Sequence, residues 1–379
     1  MLANTRRLRP LADRWLLIAI LVLSPIGLIV IQLAAGDGIT AAPVTVSPDA
    51  ARQSAYMVIG VLTMLVLAQL DYRLLRSAAP VVYAAAIVLL IGALVLGASQ
   101  YGARRWIAVG PITVQPSEFA KLALAAAGAA VAAERAPTAR RLLLWAAIVA
   151  PPIALVLVEP DLGTALVIGA AWAATIVAWG VRWRLLSGLA IAALAVIPIA
   201  FAVAVPDYQR ERLAVFVHPD RDPLGSGFAL RQVEVALGAG GITGSGLLAG
   251  GASALDGVAT RTSDFAFAQA GEAFGLAGTA LIIALFALIA WRGIRAATLA
   301  PDEFGRMLAI GLTCTITSQA LMHIAVNLRL FPATGIALPF ISQGGSALVA
   351  VFAAVGILES IAARRPATAR EQWTGTRWR

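Results

Sequence analysis

Ionisable and polar side chains gather at four places in this chain, each at the edge of a long apolar run, where their cost argues for function. The first cluster is YGARRWIAVGPITVQPSEFAKL, residues 101–122. Pro116 suits the first position of a helix, and Glu118 then falls in the first turn, where the positive helix end favours a carboxylate. Lys121 follows three residues later on the same face. A carboxylate and an ammonium at the mouth of an apolar helix suit a charged ligand group. The alternative is that Glu118 and Lys121 pair with each other, or with Arg104 or Arg105. The second cluster, VEPDLGTAL at 158–166, sets Glu159 and Asp161 on either side of Pro160, with Gly163 allowing a tight turn. Asp161 is read either as a cap for the next helix or as the partner of an arginine.

The third cluster is a long polar stretch that ends at Asp264. Here Phe228, Leu230, Val233, Val235 and Leu237 suggest a short interfacial amphipathic helix lying on the membrane surface, while the glycine run 238–246 fits neither a P-loop nor a dinucleotide fingerprint. His218 has no second histidine near it and is a poor zinc signal. Asp264 precedes Phe265, Ala266 and Phe267, with Glu272 two turns on. An acid beside an apolar wall gains proton affinity by desolvation, which suits a general base. The same Ser263-Asp264 pair is also well suited to cap a helix, and the sequence leaves both readings open. The fourth cluster is NLRLFPATGIALPFISQGGSAL, 327–348, where Pro332, Gly335, Pro339, Gly344 and Gly345 argue against a continuous helix. Irregular backbone at membrane depth is tolerated only against protein or a wet cavity. His323 reads as an interior histidine.

The elements that must position these groups follow from composition. Of 379 residues, 60% are hydrophobic and 13% charged, with mean hydropathy +0.85. A soluble domain carries about a quarter charged residues, so this is a polytopic membrane protein and not a disordered chain, a disulfide scaffold or a nucleic-acid module. Cys314 is alone, so no intrachain disulfide forms. A crossing helix needs about 20 apolar residues, and ten spans are expected, near 15–35, 54–70, 78–97, 117–133, 141–158, 163–180, 185–205, 264–291, 305–327 and 336–362. The first apolar run is too long for a cleavable signal.

The net charge of +9 reflects topology, because 19 of the 29 Lys and Arg residues fall in segments that lie on one side if the N-terminus is inside. The opposite short segments hold only Arg52, Arg104, Arg105, Lys121 and Arg329, and five more lie in the long loop 206–263. Both termini are expected in the cytoplasm. The basic tail 364–379, with Trp373 and Trp378, reads as an anchor on anionic lipid. The expectation is an all-α polytopic membrane protein, one domain over 1–379, with about ten transmembrane helices and a long extracytoplasmic loop between the seventh and eighth.

At these residues the chain resembles the SEDS family (RodA, FtsW and SpoVE), membrane glycosyltransferases that polymerise lipid II into peptidoglycan. The matched phrases are GARRWIAVG, QPSEFAKLA, EPDLGTAL, DPLGSGF, GAGGITGSG, SDFAFAQAGEAFG and PATGIALPFISQGGSAL, in order, beginning from DRW at 13–15. Short termini and compact length lean toward the RodA type, whereas the Pro-Ala-Thr-Gly turn at 332–335 and the PFIS segment at 339–342 are equally FtsW-like, so elongation and division both stay open. The resemblance implies that Asp264 is the catalytic aspartate and that Arg105, Glu118 and Lys121 are functional. It places Asp161, Asn327, Pro339, Ser342, Gly344, Gly345 and Ser346 at further motif positions, of which Asp161, Ser342, Gly344 and Gly345 are expected to bind substrate. It also implies a bacterial inner-membrane enzyme with an extracytoplasmic site, and a class B penicillin-binding protein (a transpeptidase) as partner.

The one cofactor considered is a divalent cation such as Mg2+ or Mn2+, an alternative to Arg105 and Lys121 in holding the diphosphate. Glycoside hydrolases use two carboxyl groups because an alcohol must be protonated as it leaves, whereas a polyprenyl diphosphate already leaves readily and one base suffices. The competing readings are a lipid II flippase, which would show inverted repeats and midplane broken helices, and a non-catalytic scaffold for a transpeptidase. The chain departs from the family pattern at Ala259-Thr260-Arg261-Thr262-Ser263, where Pro-Glu-x-His-Thr is usual, at Ala273 in place of Glu, and at Gln343 in place of Tyr.

Overall fold

The structure, a computed structural model, describes residues 11–35, 46–100, 103–110, 112–134, 137–189, 191, 207–246 and 253–365. Asp13 caps α1 (Arg14–Ala34) by accepting from the Trp15 and Leu16 N–H groups, and Ser47 caps α2 (Pro48–Gln69), with Pro48 at its first position. Such caps are each worth about 1 kcal/mol. After α3 (Leu74–Leu96) come three short antiparallel strands, β1 (Ala98–Gln100), β2 (Ala103–Val109) and β3 (Ile112–Val114). Helices α4 (Pro116–Ala133), α5 (Ala139–Val158) and α6 (Leu162–Ala178) follow. The long loop contains α7 (Asp207–Val217), a 3-10 turn at Pro219–Arg221 and α8 (Ser226–Ala239). The chain then forms α9 (Ala266–Thr298), α10 (Glu303–Asn327) and α11 (Gly345–Ala363).

Seven of these helices, α1, α2, α3, α5, α9, α10 and α11, are long and apolar enough to cross a membrane, and α6 is a shorter apolar helix. The outward faces of α2 and α3 carry Val58, Leu62, Val66, Val81, Val88 and Leu96, all exposed. An apolar surface of this extent suits a lipid environment. At the centre, α11 is buried over 89% of its apolar window. It runs along α2, where Gly356 lies against the Met64 backbone and Gly60 against the Phe352 ring. Small residues let two backbones come this close, the usual basis of helix association in lipid.

Helices coincide with the expected spans except the seventh, 185–205, most of which lies outside the described residues, as do Arg6, Arg7, Arg9, positions 247–252 and the tail beyond Arg365. Two boundaries differ in ways that matter. The eighth span was expected from 264, but α9 starts at Ala266 with Phe265 as its N-cap, so Asp264 stands outside the helix. The tenth was expected from 336, but α11 starts only at Gly345 and 328–344 is irregular. Pro332 and Pro339 remove backbone donors there. An all-helical reading also missed the small sheet, in which Ile107 of β2 faces Val114 of β3.

The long loop packs on the protein. Val233 and Ala236 of α8 are buried with Leu255, Val258 and Phe265, against Ala268 of α9 and Val326 of α10. The sequence placed this amphipathic helix correctly, but its apolar face is turned to its neighbours. That packing carries the 253–265 segment across one end of the bundle.

Candidate active site

Asp264 enters the site on a turn secured through its main chain. Its N–H donates to the Thr260 carbonyl at 2.8 Å, and its own carbonyl accepts from Asn327 Nδ2 at 3.0 Å. Asn327, 1% exposed at the end of α10, also accepts from the Ala268 N–H at 3.0 Å. A second segment braces the first. Ser342 Oγ donates to the Ser263 carbonyl at 2.6 Å and accepts from the Leu338 N–H at 2.8 Å. The Gln343 N–H donates to the Thr262 carbonyl at 2.9 Å, and Thr262 Oγ1 donates to Gln343 Oε1 at 2.7 Å. From α2, Gln53 bonds the Ser342 carbonyl and the Gly344 N–H at 3.1 and 3.2 Å.

These segments wall a cavity of ≈ 550 Å³ lined by Asp264, Arg105, Trp106, Glu118, Arg212, Gln343, Gly344 and Gly345, among others. At Gly345 a Cβ would collide with the Tyr56 ring, which fixes glycine at the start of α11. At Gly335 the backbone has positive φ, and a Cβ there would lie 3.9 Å from Asp264 Oδ2 and 4.0 Å from Arg212 Nη1. Asp264 and Arg212 thus approach one another across a position that has no side chain.

Three carboxylates line the cavity or bond a side chain that lines it, and two of them are held by fixed partners. Asp161 caps α6, accepting from the Thr164 N–H and Oγ1 at 3.0 Å each, and lies 3.7 Å from Arg105 Nη1. Both sequence readings of Asp161 therefore hold. Glu118 is 2.9 Å from Lys121 Nζ, and Lys121, 4% exposed, also donates to Gln319 Oε1. The pair alternative holds for these two, and Lys121 lies behind Glu118 and does not line the cavity. Asp264 is the third. It does not cap α9, whose N-terminus has no side-chain cap. Burial raises its pKa above the ordinary aspartate range, against the opposing effects of the Ser263 hydroxyl, Arg212 and Arg105.

Arg105 reaches the cavity from β2, and its seat is a turn. Nε donates to the Glu159 carbonyl at 2.9 Å and Nη2 to the Pro160 carbonyl. Ser342 sits behind the wall as a brace, and Gly344 and Gly345 form part of it. Three functional neighbours escaped the sequence reading. Arg212 lies in a polar helix whose facing no periodicity fixes, but Gln53 and Gln319 are buried amides within apolar helices and carried the signal of costly polarity. Among the described residues no group of three or more His, Cys, Asp or Glu could hold a metal ion. The cations that line the cavity are the guanidinium groups of Arg105 and Arg212.

The cell cycle protein family of FtsW, RodA and SpoVE matches residues 14–366. Peptidoglycan glycosyltransferase MrdB of Escherichia coli K12 is 34% identical over 316 residues, 83% of this chain and 85% of its own length. Stage V sporulation protein E of Bacillus subtilis is 34% identical over 318 residues, 82% of this chain and 86% of its own. A chain solved in the structural coordination of polymerization and crosslinking by a peptidoglycan synthase complex superposes with a TM-score of 0.79 at 30% identity, covering 93% of this chain and 98% of that one. Rod shape determining protein RodA of Thermus thermophilus superposes with a TM-score of 0.68 at 27% identity, over 93% and 97% of the two chains. With the family match spanning nearly its whole length and these relatives covered over more than four-fifths of theirs, the chain belongs to the FtsW/RodA/SpoVE family.

Proposed function

We propose that this chain is a peptidoglycan glycosyltransferase that polymerises lipid II at the cavity beside Asp264, with that carboxylate as general base. The activity is the one its relatives MrdB and FtsW are named for. Asp264 takes the proton from the acceptor sugar's 4-hydroxyl, and the oxygen attacks the anomeric carbon of the donor. The new glycosidic bond forms with inversion as the bond to the diphosphate breaks, and polyprenyl diphosphate leaves with the electron pair. The proton on Asp264 returns to water. Arg105 stabilises charge on the leaving group, a preorganised electrostatic role, and Glu118 with Lys121 holds α4 behind the cavity.

The observation that carries this reading is the contrast among the three carboxylates: Asp161 is committed to a cap and Glu118 to a lysine, while Asp264 faces the cavity with its proton affinity raised. The distribution of Lys and Arg supports a site on the extracytoplasmic side with both termini in the cytoplasm. The neighbouring synthase complex, which coordinates polymerization with crosslinking, supports a class B penicillin-binding protein as partner. The test is polymerisation of purified lipid II by the full chain with its transpeptidase. Asp264→Asn is expected to lose about 10²-fold or more of the rate, and the parent rate should fall on acidification as the base protonates. A folded Asp264→Asn protein that polymerises at the parent rate overturns the assignment. A flippase or a scaffold yields no polymer from lipid II in this assay.

A further inference from the structure

The turn that seats Arg105 holds a second acid, Glu159, for which the chemistry above has no use. Its side chain is 0% exposed, and neither carboxylate oxygen has a hydrogen-bond partner among the described residues. Burying an unpartnered anion is far more costly than burying the neutral acid. The charged groups acting on it are Asp161 from its own turn and Arg105 from β2. The other elements at this turn bring neutral amides: Gln209 of α7 donates to the Pro160 carbonyl at 3.1 Å, and Gln115, ahead of α4, reaches Asp161 at 3.3 Å. Burial first, then Asp161, push the Glu159 pKa up to about 8, against the pull of Arg105. Near neutral pH Glu159 therefore holds its proton.

We propose that Glu159 is a positioning residue for Arg105 and works as a neutral acid. Protonated, it leaves the guanidinium seated on the Glu159 and Pro160 carbonyls and presented to the cavity. Ionised, it becomes a buried anion within electrostatic reach of Arg105, where low dielectric strengthens the attraction, and it competes with the ligand's diphosphate for that guanidinium. This rests on reading Arg105 as a diphosphate contact, and it gives the enzyme an alkaline limit set from behind the cavity wall.

The test is the pH dependence of lipid II polymerisation by the full chain with its transpeptidase, from about pH 6.5 to about pH 9.5, with KM and kcat separated. In the parent, KM is expected to rise above about pH 8, by up to roughly tenfold per unit, with a smaller change in kcat. Glu159→Gln, the conservative neutral variant, should hold its neutral-pH KM through the alkaline range. An alkaline rise in KM that persists in Glu159→Gln overturns the proposal, and so does a parent with no such rise. If Glu159→Gln fails to fold, binding of a fluorescent polyprenyl diphosphate by the parent chain over the same pH range decides. Affinity that weakens above about pH 8 supports the proposal, and constant affinity overturns it. Arg105→Gln separates the two failures: an unchanged KM at neutral pH removes the diphosphate reading, whereas the Glu159→Gln profile tests the positioning role.

Discussion

Asp264 is placed by its main chain, which leaves its carboxylate available, and this arrangement puts unusual weight on Asn327. That one buried amide satisfies the Asp264 carbonyl and the Ala268 N–H together. Asn327→Ala strands both backbone groups, at about 1–3 kcal/mol each, and lets the turn drift. The expected result is a several-fold or larger fall in kcat with KM little changed, measured in the lipid II assay. Glu159 makes a prediction of a different kind. Its folded pKa of about 8 stands above the ordinary glutamate value of about 4.3. The native state therefore holds a proton that the unfolded chain releases between those values. Stability from this group is greatest below the lower value and is lost as pH rises through the upper one. Moving the parent from about pH 8 to about pH 5 should raise its melting temperature by more than it does in Glu159→Gln, followed by thermal unfolding in detergent. At this scale the sequence left Asp264 undecided between cap and base, because either role uses the same two residues. The position of the first helical residue removes the cap reading, and no local pattern fixes that position to within two residues.

Between residue and fold, the site depends on two non-helical segments, 253–265 and 328–344, locked across their backbones. Two departures from the family pattern, Thr262 and Gln343, bond to each other, so the changes at these positions are mutually accommodated and the brace is intact. Ser342 carries the heaviest share, meeting Ser263, Leu338 and, through its carbonyl, Gln53. Ser342→Ala should lower kcat several-fold and cost about 1–3 kcal/mol of stability, while Ser342→Thr, which keeps a hydroxyl, should recover part of each; activity and melting temperature check the pair. Seven of the ten spans were legible because a bilayer demands long apolar runs, and the broken 328–344 stretch was legible from its prolines and glycines. The sheet that carries Arg105 was not, since strands as short as Ile112–Val114 leave too little alternation to register. Nor was the inward packing of α8, because an amphipathic face does not say whether protein or lipid will cover it.

Over the whole molecule, α11 joins two polar ends through an apolar core. Its start, Gly345, lines the cavity, and its last turns carry Glu359 and Ser360, about 20 Å away at 1.5 Å per residue. At that far end Glu359 accepts from the Ala12 and Asp13 N–H groups at 2.7 and 3.0 Å. Arg292 of α9 places Nε 2.9 Å from each Asp13 oxygen. Ser360 donates to the Leu70 carbonyl at 2.6 Å and accepts from the Tyr72 N–H at 3.2 Å, tying α11 to the turn between α2 and α3. The sequence assigned Asp13 no task, because its partner lies 279 residues away. Asp13 and Arg292 are 1% and 4% exposed, and removing one partner of a buried pair leaves the other charge uncompensated. Asp13→Asn retains a capping group for α1 but not the charge, so its cost isolates the pair. It should destabilise the protein by about 3 kcal/mol, read as a lowered melting temperature, while polymerisation per folded molecule stays at the parent level. If the far end instead governs the geometry at Gly345, activity will fall in proportion to the lost pairing even where the protein remains folded, and α11 will have to be described as a coupling element between the two faces of the membrane.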